Sequence, residues 1–359
     1  MKILFVIRDM VIGGAGKQLA LTANALSEKG HEVYIYSYFG GENKHKLNSY
    51  VKYIAQDPIP DSKLKEYLWA VPHIRKQMKM IRPDIAISWR CNAGCFTVLA
   101  ALGLPIKTVF SERSDPYTET SLLLKISAFL CNFSSAGVFQ TEAVQQFYKR
   151  LSCRSIVIHN PFDKKIHCDE IIPFQDRKKE IVHIARMMIV QKRQDVMLCA
   201  FKIFLQKHPD YILSFYGDGL DFQKVQSQAH ALGLEKNIIF HGDVVDAAKK
   251  IGNVKSLVLT SDYEGIPNVI MEAFAMGVPV VSTDCSPGGA RVLIDNGQNG
   301  FIVPVGNASA LAEKMCEIVE NDIQANKFIV SAQIKLELFR PEVIFNMWND
   351  FLLGLFKKN

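Results

Sequence analysis

TSDYEGIPNVIMEAFAMGVPVVSTD, residues Thr260 to Asp284, sets two glutamates, Glu264 and Glu272, on either side of a Gly-Ile-Pro turn. The apolar residues Leu257 to Leu259 just before it read as a buried strand. Pro267 suits the first turn of a helix, and Gly277 followed by Pro279 ends that helix ahead of a second apolar run at Val280 and Val281. This is one β-α-β unit, the building block of a parallel sheet. Glu264 then lies on the loop leaving the carboxyl end of a strand, where open α/β sheets hold ligands, and Glu272 lies one to two turns into the helix. The helix start between them, with its free N–H groups, is an anion site.

The same alternation runs outward in both directions. ILFVI, VYIYSY, DIAISW, KTVFSE, AGVFQT and SIVIHN read as strands in the first half, and IVHIAR, YILSFYG, NIIFHG, SLVLTS and PVVSTD in the second, with helical patterns between most of them. Two doubly wound parallel sheets are implied, and 359 residues with 48% hydrophobic content suffice to bury two cores. The first half closes at His159-Asn160-Pro161, and the polar stretch that follows reads as a linker. The expected domains are residues 1–165, 166–335 and a terminal helix at 336–359.

Composition excludes several classes. The eight cysteines form no Cys-x-x-Cys pair and no compact secreted frame, which fits reduced thiols in the cytoplasm. No window approaches the roughly 20 apolar residues needed to span a bilayer. The net charge of +6 is uneven: residues 1–170 carry 22 Lys/Arg against 15 Asp/Glu, a balance of +7. Such an excess could face nucleic acid, an anionic bilayer or a diphosphate ligand. Nucleic acid is the poorest fit, because the strongly basic pieces are single helix faces without a groove of stacking aromatics.

The first strand runs into RDMVIGGAGKQLA, where Gly13 and Gly14 allow a tight turn ahead of a helix expected to begin near Gly16. The turn serves either strand–helix packing or close approach to a phosphate. Neither the P-loop nor the Gly-x-Gly-x-x-Gly spacing is met. In the second half, ARMMIVQKRQD puts Arg186 just past a strand end with Lys192 six residues on, a pair suited to clamping phosphates or to a solvated surface. FYGDG, containing Gly217, and FHGDV, ending at Val244, are glycine turns at two further strand ends.

In this order, Gly13-Gly14, Arg186 and Lys192, Gly217-Asp218-Gly219, Phe240-His241-Gly242 and EGIPNVIMEAFAMGVPVV followed by GQNGFIVP, the chain resembles the family 4 retaining glycosyltransferases of GT-B fold. FSERSDP (Phe110 to Pro116) and SPGGARVLI (Ser286 to Ile294) resemble members that build bacterial surface polysaccharides and lipid-linked oligosaccharides. The resemblance implies two Rossmann-like domains facing a cleft, with the C-terminal helix crossing back to the first. It implies a nucleotide-sugar donor, with UDP favoured, and a glycan or polyprenol-diphosphate-linked acceptor. Glu264 would face the transferred sugar and Glu272 the ribose hydroxyls. Gly265, Ile266, Pro267, Asn268 and Val269 would meet the diphosphate with Arg186 and Lys192, and Gly217 and Val244 would line the nucleotide. Where many members carry a histidine after the strand TVFSE, this chain has Arg113, which could bond sugar or phosphate but cannot act as a general base.

No Asp-x-Asp pair exists to hold a divalent cation, and cationic side chains with a helix dipole could take its place, so no essential metal and no cofactor are expected. The acceptor is expected on the first half. There, residues 64, 67, 68, 71, 74, 78 and 81 have the spacing of a core-facing helical stripe. Trp69, His73, Arg75, Lys76 and Lys79 lie between them as a basic face with one exposed indole, and Pro72 should break or kink the segment. SLLLKISAFLCNF, Ser121 to Phe133, is apolar enough to press against lipid. Both suit a peripheral position on the inner face of the cytoplasmic membrane. The final segment, with Val343, Met347, Phe351, Leu352 and Leu355 at helical spacing, should dock on a domain. The alternatives are a nucleotide-sugar epimerase of the same plan and a non-catalytic nucleotide-sugar-binding module.

Overall fold

The computed structural model describes residues 1–11, 13–57, 62–118, 121–151, 154–168 and 170–357. The chain forms two compact units, Met1–Pro161 with Glu342–Asn359, and Phe162–Pro341.

The first unit is a seven-stranded parallel sheet. Its strands are β1 (Lys2–Ile7), β2 (Glu32–Ser37), β3 (Val51–Ala55), β4 (Ile85–Trp89), β5 (Lys107–Ser111), β6 (Ala136–Phe139) and β7 (Ser155–Val157), in spatial order β3-β2-β1-β4-β5-β6-β7. Helices α1 (Gly14–Glu28), α2 (Lys63–Ile81), α3 (Cys91–Ala101), α4 (Leu122–Cys131) and α5 (Glu142–Phe147) connect them. The central strands are buried on both faces and therefore read as unbroken apolar runs, Leu4, Phe5 and Val6 among them. The edge strand β3 escapes that signal, because Lys52 interrupts its run and only Val51 is fully buried.

The second unit is a six-stranded parallel sheet in the order β10-β9-β8-β11-β12-β13. The strands are β8 (Lys178–Ile184), β9 (Ile212–Tyr216), β10 (Ile238–Phe240), β11 (Val254–Leu259), β12 (Val280–Thr283) and β13 (Phe301–Val303). Its helices are α6 (Ile189–Lys192), α7 (Gln194–Phe204), α8 (Phe222–Ala231), α9 (Asn268–Ala275), α10 (Gly289–Leu293), α11 (Ala308–Glu320) and α12 (Asp322–Leu336). Separate cores lie on its two faces, one around Phe201, Phe204 and Phe215, the other around Ile270, Phe274 and Leu293. Strand order reverses between β8 and β11 here, and between β1 and β4 in the first unit, so each sheet has one switch point.

The last helix, α13 (Pro341–Gly354), returns to the first unit. Ile344, Trp348 and Leu352 form its buried face, whereas Val343 is exposed, so the docking stripe is turned one residue from the expected one. Trp348 stacks on Trp89 at the end of β4, with centroids 5.9 Å apart. Lys29 Nζ donates to Asn346 at 2.6 Å, and His31 Nε2 is hydrogen-bonded to Asn349 at 2.9 Å. The chain leaves the first unit after Pro161 and rejoins it at Glu342. Within the second unit Phe162 N–H donates to the carbonyl of Phe339 at 3.0 Å. The seven described cysteines are free, and Cys153 lies outside the described residues.

Candidate active site

Parallel pairing of β8 with β9 and β11, and of β11 with β12, puts the carboxyl ends of these four strands along one edge. From that edge leave the loops carrying Arg186 and Lys192, Gly217, Ser261 to Pro267, and Asp284 to Gly288. Backbone bonds lace three of them together. Asp262 N–H donates to the Gln191 carbonyl at 2.9 Å, Ser286 N–H to the Asp262 carbonyl at 3.0 Å, and Glu264 N–H to the Ser286 carbonyl at 2.8 Å. Gln191 Nε2 adds a bond to the Tyr263 carbonyl at 3.0 Å.

Lys192 Nζ is hydrogen-bonded to Glu264 Oε1, and the two side chains are only 17% and 13% exposed. Ser261 Oγ donates to the same carboxylate oxygen at 2.7 Å. A charged pair this secluded owes its position to the loops around it, since exposed pairs contribute little and wander. Lys192 ends the short helix α6, and the next residue, Arg193, adopts a left-handed conformation with φ 50°. Arg193 offsets that strain with bonds to both oxygens of Asp262, at 3.1 and 3.0 Å, and to Asp195. Beneath Lys192, Thr260 Oγ1 donates to the Lys192 carbonyl at 2.6 Å and lies 3.1 Å from His183 Nε2. His183 is fully buried, and desolvation, aided by the Lys192 charge, pushes its pKa down to about 3, so it stays neutral.

Arg186 is exposed, and no side-chain partner holds its guanidinium among the described residues. Its carbonyl is fixed at 2.9 Å by the buried Gln194 Nε2. Helix α9 starts after Pro267 with no side-chain cap, leaving the first-turn N–H groups without one. Pro267 therefore precedes the helix rather than forming its first residue. Ile270, Met271, Ala273 and Phe274 face the core, and the partly exposed side carries Asn268, Val269 and, one turn on, Glu272. Val244 is half-buried against the α9 side of the sheet.

Two glycines make this edge possible. At Gly217 (φ 124°) an added Cβ would lie 2.1 Å from the Ala185 carbonyl oxygen, and at Gly289 it would lie 1.6 Å from that of Gly265. The second contact shows that SPGGAR holds the Glu264 turn from behind, as backbone packed on backbone. Between them, Cys285 is buried and pushed up to about 12, first by desolvation and then by the Glu264 charge, so it remains a thiol.

Expectations for the first unit change more. Gly13 is extended (φ 161°, ψ 163°) rather than a tight turn, and α1 starts at Gly14, two residues early. Arg113 is buried, and its Nη2 has no hydrogen-bond partner among the described residues. Its guanidinium stacks on Trp89 at 4.4 Å and Trp348 at 5.2 Å, Nε donates to Ser111 Oγ at 2.9 Å, and Nη1 reaches the Ile158 carbonyl at 3.3 Å. Burial pulls its pKa down to about 9, against the opposing charge of Glu112. Helix α2 is continuous through Pro72. Trp69 is half-buried rather than exposed, stacked on His73 at 3.8 Å. Arg75 is not part of a free basic face, because Nη1 donates to the carbonyls of Ala100 and Leu102 at 2.7 and 2.6 Å, closing the end of α3. Lys76 and Lys79 are exposed. Ile74, Met78 and Ile81 are buried and Leu68 is exposed, while the side chains of Leu64 and Tyr67 lie outside the described residues.

The sequence reading missed Arg193, Asp262, Ser261 and His183, whose roles depend on loops far apart in the chain. Arg90, at the switch point of the first unit, was also missed. It holds φ 80° where glycine would be at ease. No helix among the described residues is long and apolar enough to cross a membrane. One group of possible metal ligands occurs among them, His208, Cys316 and Glu320, away from this edge.

Two doubly wound parallel units in one chain, the second with a cationic switch-point edge, define the GT-B class, and solved structures of that plan match the chain along its length. Anabaena Alr3699/HepE in complex with UDP is 21% identical, with a TM-score of 0.80 over 99% of this chain and 100% of that one. The apo form of the lipopolysaccharide outer core galactosyltransferase WaaB is 19% identical, with a TM-score of 0.79 over 99% of each chain. Residues 12–165 match the family described as Glycosyltransferase Family 4, and residues 167–335 match that described as Glycosyl transferases group 1. The chain belongs to the glycosyltransferases that combine these two domains. An uncharacterized glycosyltransferase of Haemophilus influenzae is 24% identical over 98% of this chain and 99% of its own length. The Campylobacter jejuni GalNAc-alpha-(1->4)-GalNAc-alpha-(1->3)-diNAcBac-PP-undecaprenol alpha-1,4-N-acetyl-D-galactosaminyltransferase is 28% identical over 92% of both.

Proposed function

We propose that the chain transfers a hexose or N-acetylhexosamine, with retention of anomeric configuration, from a UDP-sugar to a glycan or polyprenol-diphosphate-linked oligosaccharide acceptor in cell-surface polysaccharide synthesis. The observation that carries this reading is the Lys192–Glu264 pair, held at the switch point beside the uncapped start of α9. Such an edge offers one ammonium, one open guanidinium at Arg186 and a helix start to a diphosphate. It offers two carboxylates, Glu264 and Glu272, to sugar and ribose hydroxyls. An entering diphosphate competes for Lys192 and frees Glu264 for the sugar. Stabilising the departing UDP charge is then the work of Arg186, Lys192 and the α9 N–H groups. These groups make a divalent ion dispensable, and turnover is expected to survive EDTA. The UDP and UDP-glucose complexes of the Anabaena neighbour and the undecaprenol-linked acceptor in the Campylobacter relative's name support the donor and acceptor classes. A nucleotide-sugar donor and a polyprenol-linked acceptor would bring the reaction to the cytoplasmic face of the membrane.

The test is a thermal-shift screen with UDP-, GDP- and ADP-sugars, followed by turnover of the stabilising donor. UDP release that requires an acceptor, with an α-linked product by NMR coupling, is the expected result. Epimerised sugar without transfer would make the chain an epimerase, and binding without either reaction would make it a binding module.

A further inference from the structure

Helix α4 packs on α3 through one narrow face. Ser127 and Cys131, one turn apart, are buried there, and Cys131 Sγ lies 3.3 Å from the Cys91 carbonyl at the start of α3. The opposite side is apolar and uncovered: Leu122 is 74% exposed, Ile126 49%, Phe129 49% and Phe133 58%, with Leu123 beside them. Leu122, Ile126 and Phe129 have the spacing of a single ridge on the helix, and Phe133 extends it two residues past the helix end. Phe129 and Phe133 meet edge to face at 5.4 Å, so the ridge ends in an aromatic pair. Several large apolar side chains exposed side by side mark a surface made to be covered.

The charges around the ridge select what covers it. Lys125 is exposed on α4 itself, and the Arg150 guanidinium sits 5.3 Å from the Phe129 ring. No aspartate or glutamate occurs between Ser121 and Thr141. A symmetric contact with a second copy would set two cationic ridges face to face with no carboxylate on α4 itself to pair with them. An anionic leaflet neutralises the cations and accepts the apolar side chains together.

We infer that α4 is the membrane-docking element of this glycosyltransferase. Leu122, Ile126, Phe129 and Phe133 enter the headgroup–acyl boundary of an anionic phospholipid leaflet, while Lys125 and Arg150 lie at its phosphates. The inference rests on the reading of a lipid-linked acceptor, and of the two lipid-facing segments in the sequence it selects the apolar ridge of α4 over the basic face of α2, where Arg75 is already committed to α3.

Sedimentation of the whole chain with phosphatidylglycerol-containing vesicles tests it without any transfer reaction. The unmodified protein is expected to sediment with the vesicles. The triple substitution Leu122→Ser, Ile126→Ser, Phe129→Ser should weaken binding on the order of 100-fold, at high salt as at low. The pair Lys125→Glu, Arg150→Glu should weaken it on the order of tenfold or more at low salt and much less at high salt. All five positions are exposed, so both variants should unfold at the parent temperature. Unmodified protein left in the supernatant at low salt, or a triple variant that binds as the parent does, would overturn the inference. So would a concentration-dependent dimer lost in the triple variant, which would give the ridge to a second copy. UDP release with a detergent-dispersed acceptor is measured in parallel. Failure there with vesicle binding intact removes the acceptor reading and leaves the docking surface standing.

Discussion

His183 shows how a residue that touches no ligand can set the geometry of one that does. Thr260 spends its hydroxyl proton on the Lys192 carbonyl, so it must accept from His183 Nε2–H, and Nδ1 is left buried without a hydrogen-bond partner. A buried ring held neutral has a folded pKa of about 3 against 6.5 unfolded. Its contribution to stability is whole above about pH 6.5 and is lost as the pH falls toward 3, because the unfolded state gains the proton first. The slope approaches about 1.4 kcal/mol per pH unit over that window. His183→Gln, which can still donate to Thr260, should flatten the acid limb of a melting-temperature profile. An unchanged limb would mean that the ring charges in the native state. At the same scale, Glu264 and Glu272 should separate kinetically. Glu264→Gln is expected to lower kcat by 10- to 1000-fold with modest change in donor KM, because that carboxylate meets the reacting sugar. Glu272→Ala should mainly raise donor KM, since a ribose contact is made alike in ground and transition states. Equal effects on both parameters from both substitutions would undo the assignment.

At the scale of elements, the Glu264 turn is positioned from behind. The Gly265–Ile266 peptide rests on Gly289, where any side chain would occupy the Gly265 oxygen, 1.6 Å from an added Cβ. Gly289→Ala must therefore displace one backbone segment or the other, and neither is a flexible side-chain end. Donor affinity, read by isothermal titration with UDP, should fall at least tenfold, with a loss of stability of about 1–3 kcal/mol. Wild-type affinity in that variant would show that the turn is not held by α10. How much of this edge was legible follows from the same geometry. The strand, turn and helix of residues 257–281 were readable because a doubly buried parallel strand leaves an apolar run and Gly277 ends the helix. Arg186 and Lys192 were readable because they follow a strand end. Arg193–Asp262 and His183–Thr260–Lys192 were not, because each joins positions about 70 residues apart, which no local pattern records. The enclosure of Arg113 was not legible for a related reason: the tryptophan beside it, Trp348, arrives from far along the chain.

At the scale of the whole molecule, α13 makes the first unit a product of both chain ends. Trp348 is 1% exposed and stacks on Trp89, and the two indoles cover the Arg113 guanidinium between β5 and the helix. The second unit has its own two cores, and no described residue from 342 onward is a member of either. Trp348→Ala removes the stack and opens a cavity beside a buried cation, so it should cost the first unit about 3–5 kcal/mol. The loss should be confined to that unit. Hydrogen exchange resolved by peptide is the suitable measurement. Amides of β1, β4 and β5 should exchange markedly faster in the variant, while those of β8, β11 and α9 keep their protection and UDP still stabilises the second unit. Uniform loosening of both sheets would show that the units unfold as one, and an unchanged first unit would show that α13 lies on its surface without holding it.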